Sequence, residues 1–178
     1  MNGRKVVVFC SSVSEIDPAY KEAARALTGA LHASGFSIVS GGGERGLMGE
    51  CVRASAACGG AHTGVLPRFM KGLESASLSE VVWTDTMSER KEKMREGTCA
   101  AIALPGGIGT LDELMETHTL RKLERYPGKL YALNVKGFYE PLRALLDHYV
   151  ATGMMSRADA DLLQFPGTVE QLMADILK

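Results

Sequence analysis

"CAAIALPGGIGTLDEL", residues 99–114, holds three parts of one structural unit in a row. The apolar run from Cys99 to Leu104 breaks at Pro105, passes through Gly106, Gly107 and Gly109, and continues with helical spacing. A short apolar run bounded by Pro and Gly reads as a strand buried on both faces. The same succession recurs in "IVSGGGERGLMGE", residues 38–50. Two strand, glycine turn, helix units in one chain predict an α/β fold. Its form is a doubly wound, mostly parallel sheet in a Rossmann-like three-layer sandwich.

The rest of the chain extends the alternation outward from these units. "KVVVFC" (5–10), "AHTGVLP" (61–67), "VVWT" (81–84) and "KLYALNV" (129–135) read as further strands, with "LLQF" (162–165) as a short seventh. Residues 17–35 form a helix capped by Asp17, with Pro18 at its first position and Gly35 as its stop. Further helices are expected near 46–60, over 86–97 with Thr86 or Ser88 as cap, over 139–153 and over 168–178. Residues 68–80, "RFMKGLESASLSE", read as a loop.

Bulk properties narrow the function. The 178 residues fit a single Rossmann-like domain over residues 1–178. Hydrophobic content is 46% and charged content 23%, as in soluble globular proteins. A net charge of -1 gives no reason to expect a nucleic-acid partner. No apolar segment is long enough to span a membrane, and "VVVFC" is too short for a signal peptide. The four cysteines, Cys10, Cys51, Cys58 and Cys99, form no CxxC pair and no metal-ligand rhythm with the four histidines. They point to a reducing, cytoplasmic compartment, with Cys10 and Cys99 acting as small buried hydrophobes. Nothing in the sequence calls for a metal or a cofactor.

Glycines ahead of a helix allow a ligand to approach the main chain, and the helix N-terminus offers free N–H groups and a positive dipole end. Gly106, Gly107, Gly109 and the Thr110 hydroxyl therefore suit one phosphate, although a purely structural turn reads the same way. The lysine-bearing P-loop pattern is absent, and Asp112 stands where a dinucleotide fingerprint would place its third glycine. Gly41, Gly42 and Gly43 mark a second wall of the same crevice, and Ser11 and Ser12 a third. Glu113 and Glu116 share a helix face while Leu111, Leu114 and Met115 can face the core. An acid beside a bound phosphate makes sense if it serves another part of the ligand, such as a sugar carbon becoming cationic. On the helix over 86–97, Met87 and Met94 define an apolar stripe, with Arg90 and Lys91 to either side and Glu89 and Glu92 pointing away.

"SGGGERGLMGE", "SERK" and "PGGIGTLDE" occur in the order and spacing of the LOG (Lonely guy) family, and the chain resembles that family from about Lys5 to Val150. The resemblance implies cleavage of the N-glycosidic bond of a nucleoside 5'-monophosphate, giving free base and ribose 5-phosphate. It implies Arg90 and Glu113 as the catalytic pair and Gly107, Ile108, Gly109 and Thr110 as the phosphate turn. Lys91 and Thr119 match further ligand positions, and Glu116 lies one turn beyond Glu113. It also implies a homodimer, or a multiple of one, with the site near the interface. Two other readings stand beside it: a nucleotide sensor without catalysis, and a pyridoxal-dependent decarboxylase using Lys91 or Lys129.

Overall fold

The computed structural model describes residues 4–178. Seven parallel strands form one sheet: β1 (Lys5–Phe9), β2 (Ser37–Ser40), β3 (His62–Pro67), β4 (Glu80–Thr84), β5 (Thr98–Ala103), β6 (Lys129–Ala132) and β7 (Leu163–Gln164). Their spatial order is β4-β3-β2-β1-β5-β6-β7. The chain winds outward from β1 to β4, then crosses over to place β5 on the other side of β1. That reversal opens a crevice at the carboxyl ends of β1 and β5, where doubly wound sheets bind ligands.

The helices are α1 (Pro18–Ala33), α2 (Gly46–Ala57), α3 (Met87–Arg95), α4 (Ile108–Lys122), α5 (Glu140–Ala151), α6 (Arg157–Ala160) and α7 (Val169–Ile176). Alternation along β1 separates two cores. Val6 and Val8 pack with Leu27 and Leu31 of α1, Leu47 and Cys51 of α2 and Leu172 of α7. Val7 and Phe9 pack with Met94 of α3, Leu114 of α4, Leu146 of α5 and Ala160 of α6. Both faces are thus covered, as continuous apolar strands require.

Helix ends follow the expected chemistry. Asp17 caps α1 by accepting from the Ala19 N–H at 2.9 Å, Pro18 occupies the first turn, and Gly35 takes the left-handed φ of +80° that ends the helix. Thr86, and not Ser88, caps α3.

Several expectations need correction. Cys10 is buried, but Cys99 is exposed. The β1–β5 register slips there, pairing Lys5 with Thr98 and Val6 with Ala100, so Cys99 is the extra residue of a bulge. Met87 is 42% exposed, and the buried face of α3 runs instead through Arg90 and Met94. Leu111 is 36% exposed, because the buried stripe of α4 follows Thr110, Glu113, Leu114, Thr117 and His118. The loop after β3 contains a 3-10 turn at Arg68–Met70, and α6 was not foreseen. Among the described residues no helix is long and apolar enough to cross a membrane, and no group of three or more His, Cys, Asp or Glu could hold a metal ion.

Candidate active site

A cavity of about 650 Å³ lies at the carboxyl ends of β1, β2, β3 and β5. The segment after β1 contributes Cys10, Ser11, Ser12 and Val13; the turn after β2 contributes Gly41 and Gly43. Gly107, Ile108, Gly109 and Thr110 open α4 along another wall. Arg90 from α3 and Glu113 from α4 complete the lining from the helical layer. The two glycine turns and the "CSS" segment therefore meet around one space.

Two helices begin at this cavity, and only one of them is open. The amino end of α2 is plugged: the Ser11 carbonyl accepts the Met48 N–H at 3.3 Å, and a β-carbon on Gly46 would lie 2.6 Å from that same oxygen. At α4 nothing lies within 4 Å of where β-carbons on Gly107 and Gly109 would stand. The unpaired N–H groups of α4 face free space, which is where an anion gains from the helix end.

Arg90 and Glu113 are each only 8% exposed. Arg90 Nε donates to the Val65 carbonyl at 2.9 Å, and its Nη1 donates to Glu113 Oε1 at a long 3.4 Å. One nitrogen of the guanidinium, Nη2, lies against Gly41, where a β-carbon would overlap it. Burial raises the Glu113 carboxyl to about 7, and neighbouring Arg90 offsets only part of that rise. A carboxyl with that value can both take up and release a proton near neutrality.

Residues 48–176 match the family model described as "possible lysine decarboxylase". The chain is a member of that family, LOG. A probable cytokinin riboside 5'-monophosphate phosphoribohydrolase of Oryza sativa subsp. japonica is 39% identical over 85% of this chain and 68% of its own length. A cytokinin riboside 5'-monophosphate phosphoribohydrolase of Mycobacterium marinum is 37% identical over 89% of this chain and 85% of its own. Among solved structures, the molybdenum cofactor carrier protein of Chlamydomonas reinhardtii superposes with a TM-score of 0.75. It covers 99% of this chain and 97% of its own at 18% identity, a likeness of fold.

Not every residue singled out from the LOG resemblance borders the cavity. Lys91 pairs with Asp112 at 3.0 Å and with Glu116, and Arg95 Nη2 donates to Glu116 at 2.8 Å. These contacts clamp α3 to α4 beside the cavity. Thr119 turns its hydroxyl back to the Met115 carbonyl at 2.9 Å. Gly42 and Gly106 lie within the turns, where a β-carbon would meet the Gly64 Cα at 2.7 Å or overlap the Thr110 side chain. Sequence reasoning missed Glu44 and Arg45 in the turn after β2, and Met48, Leu66, Met70 and Leu73 on an apolar wall. Arg45, a charge set among glycines, was the visible signal. The apolar wall had none, being split between α2, β3 and the loop that follows β3. Arg95 was also missed; it is buried, with Nη1 unpaired among the described residues.

Proposed function

We propose that the protein hydrolyses the N-glycosidic bond of a nucleoside 5'-monophosphate, releasing the base and ribose 5-phosphate. One observation carries this reading: a buried carboxyl raised to about 7, paired with Arg90, borders the cavity into which the open end of α4 points. The names of the LOG relatives support it. The 5'-phosphate sits on the N–H groups of Gly107 to Thr110, fixing the sugar while the reaction occurs at its far side. As the bond to the base breaks, positive charge develops on the anomeric carbon and ring oxygen, and the Glu113 carboxylate stabilises it. Water adds to that carbon and gives its proton to Glu113; the base leaves with the bonding electrons and takes up a proton from solvent. Arg90 holds the carboxylate in place.

The decarboxylase description fits the geometry poorly. No lysine lines the cavity among the described residues. Lys91 is held between two carboxylates that raise it above the ordinary lysine value, opposite to what a Schiff-base nucleophile requires. Lys129 begins β6, at the amino end of the sheet, and donates to the Asp175 carbonyl.

The substrate is an adenine nucleotide, AMP or an N6-alkylated relative, whose base meets Met48, Leu66, Met70 and Leu73. The protein acts as a homodimer in the cytoplasm: exposed Met87, Ile108 and Leu111 supply apolar surface on α3 and α4. Sedimentation of the pure protein tests the dimer.

Incubation with a panel of nucleoside 5'-monophosphates, including isopentenyl-AMP, followed by chromatography, tests the reaction. Free base and ribose 5-phosphate appear together, and Glu113→Gln lowers turnover by about 10²–10⁴-fold while calorimetry still detects nucleotide binding. Binding without base from any nucleotide would make the protein a sensor.

A further inference from the structure

Behind the cavity, five hydrogen bonds run in series along β2, from the amino end of the sheet to the glycine turn at its carboxyl end. His32 Nδ1 meets the Phe36 carbonyl at 2.9 Å, and His32 Nε2 meets Ser55 Oγ at 2.8 Å. Ser55 Oγ meets His62 Nδ1 at 2.9 Å, and His62 Nε2 meets Ser40 Oγ at 2.8 Å. The Gly42 N–H closes the series on Ser40 Oγ at 3.1 Å. Ser40, Ser55 and His62 are buried.

With His32 uncharged, the carbonyl at the end of this series orients every proton in it. A carbonyl only accepts, so His32 carries its proton on Nδ1 and, as a neutral ring, accepts on Nε2 from the Ser55 hydroxyl. With that proton committed, Ser55 Oγ accepts from His62 Nδ1–H. The neutral His62 ring then accepts on Nε2 from the Ser40 hydroxyl, leaving the Ser40 oxygen to receive the Gly42 N–H. His62 remains neutral because burial pushes it down to about 4.

The Gly41–Gly43 turn at the end of the series is where Arg90 rests. Gly42 adopts φ +68°, packs on the Gly64 backbone, and accepts the Ser75 N–H at 2.8 Å. Gly41 lies directly beneath the Arg90 guanidinium. We propose that His62 is a positioning residue for the hydrolysis: neutral and protonated on Nδ1, it holds the Ser40 hydroxyl on the Gly42 amide and so fixes the turn that seats Arg90 beside Glu113. The inference rests on the assignment of Arg90 and Glu113 to the reaction.

A residue that merely filled the core would leave the titration of Glu113 alone. The charged and titratable groups around that carboxyl are Arg90, Lys91 and Arg95 of α3, Asp112 of α4 and Cys10 after β1. Of these, Arg90 is the one seated on Gly41. Unseating it moves the Glu113 midpoint upward.

Two NMR measurements and one kinetic series test this. In ¹⁵N-histidine spectra, His62 shows the Nδ1–H tautomer and stays unprotonated down to about pH 5. In ¹³C-carboxyl titrations, with the Glu113 signal assigned by Glu113→Gln, Ser40→Ala and His62→Leu shift the midpoint above that of the native protein. In turnover, both variants lose about 10-fold or more in kcat with KM changed by less than about 3-fold. His62→Gln, whose amide oxygen can accept from Ser40, recovers most of the loss. If His62→Leu does not fold, Ser40→Ala, which deletes one oxygen atom, carries the test. A His62 proton on Nε2, or an unmoved Glu113 midpoint in folded Ser40→Ala, would overturn the proposal. Should the native protein release no base from any nucleotide, the hydrolase reading fails, and the NMR arms still decide whether His62 seats Arg90.

Discussion

Glu113 and Glu116 stand three residues apart on α4 and meet opposite surroundings. Burial dominates at Glu113 and raises it to about 7. At Glu116 burial also acts, but hydrogen bonds from Lys91 and Arg95 outweigh it and hold the carboxyl below its ordinary value. One acid is left free to exchange a proton, and the other stays ionised as a strut between two helices. The free acid costs stability. Between about pH 4.5 and 7 the folded chain keeps a proton on Glu113 that the unfolded chain has released, so stability falls as pH rises through that window. Glu113→Gln removes this penalty. Thermal or denaturant unfolding should find the variant more stable than the native protein at pH 8, by at most about 3 kcal/mol, with the difference gone below pH 4.5. Equal stability at pH 8 would mean that Glu113 is not raised. The acids were legible because they sit together in a motif. His62, Ser40 and Arg95 were not, because the partner of each lies 21 or 22 positions away.

At the scale of elements, the glycine turns were legible and their division of labour was not. Two strand, turn, helix units look equivalent in sequence, yet a backbone carbonyl from a third segment plugs one and leaves the other open. Only the fold brings Ser11 to the start of α2. Gly41 shows how closely the plugged turn is fitted to Arg90. Gly41→Ala places a methyl group where the Arg90 guanidinium lies, and that end of the side chain can move away. The variant should fold, as circular dichroism would report, while turnover drops by about 10-fold or more; native turnover would remove Arg90 from the reaction. The Thr86 cap starts the helix that carries Arg90, and Thr86→Ala should cost about 1 kcal/mol in urea unfolding. The bulge at Cys99 and the four-residue α6 escaped sequence reasoning for physical reasons. A bulge is a property of two paired strands, and one turn of helix is too short to show a period.

At the scale of the whole molecule, seven apolar runs announced seven strands, but nothing local announced their order. The position of β1 between β2 and β5 depends on which strands pair, and that position creates the crevice. Ile102 lies at the centre of this arrangement, fully buried on β5 and packed in the core that α1, α2 and α7 cover. Ile102→Ala should destabilise the protein by about 2–5 kcal/mol in denaturant unfolding, without altering which nucleotides are bound. A smaller effect would mean that the site collapses around the lost atoms. The long connection between β3 and β4 places Met70, Gly72 and Leu73 against the cavity, whereas Arg90 and Glu113 come from helices. On the proposed assignment, that separation would let substitutions in this loop alter base preference over evolutionary time while Arg90 and Glu113 were inherited unchanged.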